Sequence, residues 1–150
     1  TNHPTSEKEV HRQIYLRRED AGMIIHAHTK KAMAVSVRKI REVPCLVEEM
    51  SQLIGGGIPI TPQYVPAEQH FQLGTAAAEN IGNRNGVILR NHGPVAVGRN
   101  PEEAVLMVEV IEKACEIFLD QGQMFYAPIP QCYIDSERYR YLYKYGNEKT

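Results

Sequence analysis

The segment that most constrains this chain is residues 23–28, MIIHAH, in which an apolar run ends in two histidines. The run has the length and composition of a buried β-strand. Residues two apart on a strand point to the same face, so the imidazoles of His26 and His28 should leave the strand side by side. Two neighbouring imidazoles predict a metal site that needs at least one further ligand.

His92 is the best candidate for the third ligand. It stands where the apolar strand predicted over residues 86–90 ends, and Gly93 follows it at once. Loops at strand ends commonly carry functional side chains, and a glycine allows the backbone to turn sharply beside a bound group. Three neutral imidazoles with one open position are typical of a catalytic zinc site, whereas a structural site fills all four positions with protein ligands.

Composition limits the class of protein. The 150 residues are 43% hydrophobic and 23% charged, which is typical of one soluble globular domain. The formal net charge is -1 and the basic residues form no long block, so neither a nucleic acid nor an anionic membrane is expected as a partner. The three cysteines are too few and too scattered for a disulfide framework, and they favour a cytoplasmic setting.

Local signals predict a single domain of mixed α and β structure. A Ser-x-x-Glu capping box at Ser6 predicts a helix over residues 7–18, and Thr29 should cap a second helix. Asn100, followed by a proline, is a good helix start. The predicted buried side of the helix that begins after Asn100 consists of Val105, Val108, Ile111, Cys115 and Phe118.

Two carboxylates, those of Glu7 and Glu49, are candidates for proton transfer beside the predicted metal. A zinc ion with an open position can stabilise the negative charge that develops when a carbanion becomes an enolate, and such chemistry needs a nearby acid or base. On the residues alone, a solvated surface carboxylate is the better interpretation of each. The hydroxyls of Thr5 and Ser6 precede a helix and would suit a phosphate, as most helix N-termini would.

Three motifs taken together resemble the class II aldolase/adducin family. They are Thr5-Ser6-Glu7, His26-Ala27-His28 and Leu89-Arg90-Asn91-His92-Gly93, in this order and spacing. The resemblance extends from the first loop to the helix after Asn100. It implies a three-layer α/β fold with a largely antiparallel central sheet flanked by helices. It also implies a homotetramer, because the aldolases and the epimerase of the family assemble in this way.

The resemblance assigns a role to each motif. It implies that the three histidines bind zinc, that Glu7 is the catalytic acid/base, and that Thr5 and Ser6 contribute to a phosphate site. The implied reaction is a zinc-dependent aldol cleavage. A ketose 1-phosphate resembling L-fuculose 1-phosphate would yield dihydroxyacetone phosphate and an aldehyde through an enediolate.

Differences among members of the family favour an aldolase. Glu7 matches the aldolases, whereas the epimerase carries aspartate at this position and the dehydratase lacks the acid. Glu49 is the best match for the second acid/base, although the spacing also allows Glu48, and a tyrosine has this role in the fuculose-phosphate enzyme. Epimerase, dehydratase and decarboxylase activities on related sugar phosphates stay open, as does an inactive structural module. Adducin-type members have lost the zinc histidines, and all three are present here.

We expect residues 1–150 to form a single class II aldolase-like domain that is N-terminally incomplete. The chain begins in a loop without an initiator methionine. Domains of the family have further elements before this point, including phosphate-binding loops that have no counterpart here. The expected partners are a small sugar phosphate and further copies of the same chain.

Overall fold

The computed structural model describes residues 5–122 and 126–144 of the chain. In this part the helices are α1 (Lys8–Arg17), α2 (Lys30–Ser36), α3 (His70–Ile81), α4 (Pro101–Gln121) and α5 (Gln131–Tyr143). The strands are β1 (Met23–His26), β2 (Glu42–Val43), β3 (Ile58–Pro59), β4 (Gly86–Leu89) and β5 (Gly93–Gly98), and a π-helical turn spans Met50–Ile54. None of these helices combines the length and the low polarity needed to cross a bilayer.

The main sheet is antiparallel, and β5 is its central strand. β5 pairs with β1 on one side and with β4 on the other, and the register places His26 opposite Val95. A two-stranded antiparallel ribbon joins β2 to β3, and Ile60 just after it bridges to Ile88 in β4. The segment that follows β3 therefore lies alongside β4, at the edge of the main sheet.

Helices cover both faces of the main sheet. In β5, the side chains of Val95 and Val97 join a buried cluster with α1 and α3, whereas Ala96 joins a second cluster with α2 and α4. β4 alternates in the same way, as successive residues of a strand must. The resulting layers of helix, sheet and helix confirm the expected α/β fold with an antiparallel sheet flanked by helices.

The buried side of α4 differs in part from the predicted one. Ile111, Cys115 and Phe118 are buried as predicted, but Val105 is 49% exposed and Met107 is fully buried instead. α4 packs against β5, α2 and the π-helical turn at the same time. The apolar residues of this segment are spaced so that more than one side of the helix could be buried. The positions of β5, α2 and the π-helical turn decide which side is buried.

Two predicted helix caps form no capping hydrogen bond in the described residues. Glu7, and not Ser6, is the N-cap residue of α1, and its N–H donates to the Thr5 hydroxyl at 3.3 Å. Thr29 is at the N-cap of α2, but its buried Oγ1 finds no hydrogen-bond partner among the described residues. The Glu112 carboxylate accepts instead from the N–H groups of Lys31 and Ala32, at 3.2 and 2.9 Å.

The cap of α4 is present as predicted, and it allows a test of the fold. The Asn100 side chain accepts a hydrogen bond from the Glu103 N–H at 2.8 Å. We expect Asn100→Ala to lower the free energy of unfolding by about 1 kcal/mol, because the first turn of α4 loses an acceptor. Urea denaturation measures this change. Asn100→Asp should restore most of the stability, and an equal loss in both variants would contradict the capping role.

Candidate metal centre and active site

The packing of α1 on α3 fixes the position of Glu7. Val10 and Ile14 of α1 are buried in the same cluster as Leu73 of α3. The two helices approach closely at Gly74, where an added Cβ would lie 2.6 Å from the Glu9 carbonyl oxygen. Glu7, one residue before α1, is thereby held at the end of the sheet where β1 finishes and β5 begins.

The three predicted histidines converge at this end of the sheet. Their Nε2 atoms lie 3.1 Å apart between His26 and His28, 3.3 Å between His26 and His92, and 3.1 Å between His28 and His92. The predicted geometry needs one correction, because β1 ends at His26 and His28 lies beyond the strand. The imidazoles of His26 and His28 lie close together because the chain changes direction between β1 and α2, and not because residues two apart on a strand share a face.

Two contacts hold the segments that carry the second and third histidines. Glu112 binds the first turn of α2 directly after His28. Gly93, directly after His92, lies against the segment that follows β1, where a Cβ would be 2.6 Å from the Ala27 carbonyl oxygen. Gly93 is therefore needed for this close approach, whereas the left-handed backbone of the hairpin belongs to Asn91, with φ of 57°.

Glu7 completes a group of four potential metal ligands. Its Oε1 is 3.1 Å from the Nε2 of His92, and its Oε2 is 3.5 Å from the Nε2 of His26. One ligand atom from each of the four residues lies within 4.8 Å of all the others. The side chains of Glu7, His26 and His92 are 17%, 7% and 12% exposed, whereas His28 is an exposed residue. The group is therefore partly shielded and reachable from solvent on the side of His28.

The protonation of His26 and of His92 suits a metal. The Nδ1 of His26 lies 2.9 Å from the Pro94 carbonyl oxygen, which can only accept, so Nδ1 donates and Nε2 presents a lone pair to the centre of the group. Burial lowers the pKa of His26 and of His92, although the negative charge of Glu7 acts in the opposite direction. The neutral imidazoles that bind metals are therefore favoured.

The distances within the group fit a tetrahedral metal ion. Zn–N distances of about 2.0–2.1 Å place two nitrogens of a tetrahedral site about 3.3 Å apart, and the three measured separations are 3.1–3.3 Å. Three imidazoles and one carboxylate oxygen also match the nitrogen and oxygen donors that zinc accepts. His26, His28, His92 and Glu7 together could hold such an ion.

The other predicted site residues lie at two different places. Thr5 and Ser6 are exposed and directly precede Glu7, so they border the metal centre. Glu49 does not belong to the group of four, and its carboxylate forms an ion pair with Lys113 of α4 at 2.9 Å. Its neighbour Glu48 is exposed.

The cysteines are separate from the metal centre. All three are free, and only Cys132 is exposed. Burial raises the pKa of Cys45 to about 11 and that of Cys115 to about 12. These two thiols stay protonated at neutral pH and are buried core residues.

Arg90 has a structural role that its position in the sequence did not reveal. Its guanidinium donates to the carbonyl oxygens of Thr61 at 3.0 Å, Ile40 at 2.6 Å, and Arg38. Its backbone N–H donates to the Thr61 hydroxyl at 2.7 Å. Arg90 thus joins the segment after α2, the segment after β3 and the hairpin that carries His92.

We expect Arg90→Gln to lower the free energy of unfolding by about 1.5–3 kcal/mol, because several carbonyl groups lose a charged donor. Metal affinity should fall as well, since the hairpin before His92 would be less firmly held. Chemical denaturation and metal titration measure the two effects. Arg38→Gln is the matched control, because it removes a neighbouring charge and leaves the Arg38 backbone carbonyl in place. Equal effects of both variants would contradict the role of Arg90.

Sequence comparison shows relatives over most of the chain. The family model described as Class II Aldolase and Adducin N-terminal domain matches residues 1–119. The chain is 28% identical to L-fuculose phosphate aldolase of Escherichia coli K12 over 116 residues, which are 77% of this chain and 53% of that protein. It is 35% identical to alpha-adducin of Rattus norvegicus over 112 residues, which are 72% of this chain and 14% of that protein.

Solved structures share the fold. An L-fuculose 1-phosphate aldolase superposes with a TM-score of 0.87 at 24% identity, over 95% of this chain and 66% of that chain. YgbL of Klebsiella pneumoniae, described as a putative aldolase/epimerase/decarboxylase, superposes with a TM-score of 0.78 at 23% identity, over 91% of this chain and 67% of that one. The chain spans about half the length of the fuculose aldolases that it matches in sequence.

Proposed function

This chain belongs to the class II aldolase and adducin family, and on that premise we propose that it is a zinc-dependent aldehyde-lyase acting on a ketose 1-phosphate. The products would be dihydroxyacetone phosphate and an aldehyde. The observation that carries the proposal is the Glu7 carboxylate, which lies 3.1 Å from the Nε2 of His92 within a group of three imidazoles. This arrangement places a carboxylate that can carry a proton directly beside three imidazoles that can bind a metal.

The reaction requires charge stabilisation and two proton transfers. Cleavage of the C3–C4 bond sends its electron pair toward the C2 carbonyl, the C4 hydroxyl loses a proton, and C3 gains one. A zinc ion held by His26, His28 and His92 would supply Lewis acidity for the developing negative charge. Because that charge forms beside the imidazoles, the proton for C3 has to come from a group at the same place.

Glu7 is the proposed proton carrier for C3. Its two oxygens face the Nε2 atoms of His26 and His92, and its position just before α1 is fixed by the packing of α1 on α3. A positioned carboxyl group of this kind contributes rate factors of about 10²–10⁴.

Glu49 is the proposed proton carrier for the C4 oxygen. Within one chain its carboxylate binds Lys113 and is not part of the group of four. The role therefore requires Glu49 to reach the metal centre from another copy of the chain. We propose a homotetramer with the active site at the contact between subunits, which would meet this requirement.

Thr5 and Ser6 are the proposed phosphate contacts. Both are exposed immediately before Glu7, at the N-terminus of α1, where backbone N–H groups and the helix dipole favour an anion. The free thiols favour a cytoplasmic setting for the protein.

A second candidate function is that of a metal-holding module without enzymatic activity. The 35% identity to alpha-adducin over 112 residues, which are 72% of this chain, favours this alternative. Epimerase, dehydratase and decarboxylase activities would use the same metal centre, and one of the structures with this fold is described in such terms.

A substrate panel tests the proposed function. The purified chain, with its metal content determined by mass spectrometry, is incubated with ketose 1-phosphates including L-fuculose 1-phosphate, and released dihydroxyacetone phosphate is measured enzymatically. We expect turnover that chelation abolishes and zinc restores. An epimerised or dehydrated product would overturn the aldolase assignment, and bound zinc without turnover of any substrate would favour the non-enzymatic module.

A further inference from the structure

A second concave site lies next to the metal centre. Lys39, Arg41, Arg90 and Asn91 contribute to the lining of a cavity of about 490 Å³, named here the basic cavity. Asn91 directly precedes the metal-site residue His92, and its N–H donates to the Ser36 carbonyl oxygen at 3.2 Å. The volume is within the range of small-molecule sites in proteins, about 300–1,000 Å³.

The charge of the basic cavity is unbalanced. Three cationic side chains line it, and none of the lining residues is acidic. Within the described part of the chain, none of the three cations has a carboxylate partner within 4 Å. The nearest acid in sequence, Glu42, forms its ion pair with Arg84 at 2.9 Å. Lys39 and Arg41 therefore offer charge without a carboxylate partner, and Arg90 adds positive charge although its guanidinium donates to backbone carbonyl oxygens. This excess of positive charge around one cavity makes a binding site for an anion electrostatically favourable.

The walls of the cavity are held in place before any ligand binds. The Arg90 guanidinium donates to the carbonyl oxygens of Arg38 and Ile40, on either side of Lys39. The segment is also held at its end, where the Arg41 carbonyl oxygen accepts from the Ile60 N–H at 2.8 Å. A ligand would therefore meet a preformed loop, which lowers the entropic cost of binding.

We propose that the basic cavity binds the phosphate group of a small organic phosphate. Lysine and arginine are the side chains that bind phosphate best, and a dianion matches several cationic side chains better than a monoanion does. Val37, Ile40 and Pro62 complete the lining and offer apolar surface to the carbon skeleton. The concave shape and the formal net charge of -1 for the whole chain favour a small molecule over a nucleic acid or a membrane.

The site is distinct from the proposed catalytic one. Its lining includes neither the three histidines nor Glu7, and it shares no residue with the phosphate contacts proposed at Thr5 and Ser6. Phosphate binding in the basic cavity can therefore be found or refuted whether or not the chain cleaves a ketose phosphate.

Amide chemical shifts locate the site directly. The zinc-loaded full chain, labelled with ¹⁵N, is titrated with sodium phosphate, with sodium acetate and with sodium chloride at matched ionic strength. We expect saturable shifts for the amides of residues 37–41 and 90–91 with phosphate. Lys39→Gln or Arg41→Gln should each weaken binding about tenfold, the factor that corresponds to one charged hydrogen bond. Arg38→Gln, which removes a charge from the same loop without lining the cavity, should change affinity less than about twofold.

Four outcomes would overturn the proposal. Shifts confined to residues 5–7 or to the histidines would place phosphate at the metal centre. An equal loss of affinity in Arg38→Gln would show that general attraction, and not the cavity, binds the anion. Equal affinity for acetate would exclude selection of a phosphate. A response that does not saturate, or that chloride reproduces, would exclude a site.

Discussion

Replacing Glu7 by glutamine should lower turnover by about 10²–10⁴-fold, the contribution expected of one positioned proton carrier. Glutamine keeps the size and the hydrogen-bonding oxygen of the side chain, but it cannot deliver a proton to carbon. The three imidazoles stay in place, so zinc should still bind and the chain should stay folded. Steady-state kinetics on the best ketose phosphate, with zinc content and thermal unfolding measured on the same preparation, test this expectation.

Glu9→Gln is the matched control for this experiment. Glu9 lies two residues further along the first turn of α1, and its carboxylate forms an ion pair with Arg12 at 3.2 Å. Removal of its charge should leave turnover within about twofold, since exposed pairs of this kind contribute little. Near-normal turnover of Glu7→Gln would remove Glu7 from the mechanism. Loss of zinc from this variant would instead make Glu7 chiefly a metal ligand.

His92→Ala should weaken zinc binding by more than about 100-fold. Mutation of a residue that only hydrogen bonds to a metal ligand already lowers metal affinity by about 10–100-fold, and His92 is a proposed ligand itself. The remaining imidazoles of His26 and His28 would leave the metal with two nitrogen donors. Turnover should fall to background, and the stabilisation that bound zinc gives to the folded state should be lost with it. Competition with a chromophoric chelator measures the affinity, and unfolding scans with and without zinc measure the stabilisation.

His70→Ala provides the comparison for the histidine experiment. His70 is exposed at the first residue of α3 and does not belong to the group of four. Its variant should bind zinc like the unchanged chain. Unchanged zinc affinity in His92→Ala would show that the three histidines are not the site, whereas equal weakening in both variants would indicate non-specific binding of zinc to surface imidazoles.

The two experiments together separate binding from catalysis. Zinc retained in Glu7→Gln with turnover lost would support a catalyst built on a metal site. Zinc binding without turnover in the unchanged chain would favour the non-enzymatic module related to adducin. The distinction matters because the family includes both kinds of protein, and the chain spans only about half the length of its aldolase relatives.

Predictions from local sequence were most successful where one physical cause dominates. The strands that carry His26 and precede His92 were predicted from their apolar runs, and the Asn100 cap was predicted from the asparagine and proline. The buried side of α4 was predicted less well, because helical spacing allows neighbouring stripes and only the packing partners select one. The cap at Ser6 was wrong, and Thr29 is the N-cap residue of α2 as predicted but forms no capping hydrogen bond with its side chain. A suitable hydroxyl does not by itself bring the free N–H groups within reach.

The sequence by itself determined which kinds of ligand atom are available at the candidate metal centre. The strand and loop signals placed the three imidazoles at the ends of elements, whereas the carboxylate of Glu7 was assigned to the site by the family resemblance of its motif. Only the tertiary structure decided that their ligand atoms meet within 4.8 Å and that Glu49 lies elsewhere in the single chain, against Lys113. It also decided the roles of Glu112 and Arg90, whose partners are about 80 and up to 54 residues away along the chain. Contacts over such separations depend on how the helices and loops pack around the sheet, and no local pattern in the sequence encodes them.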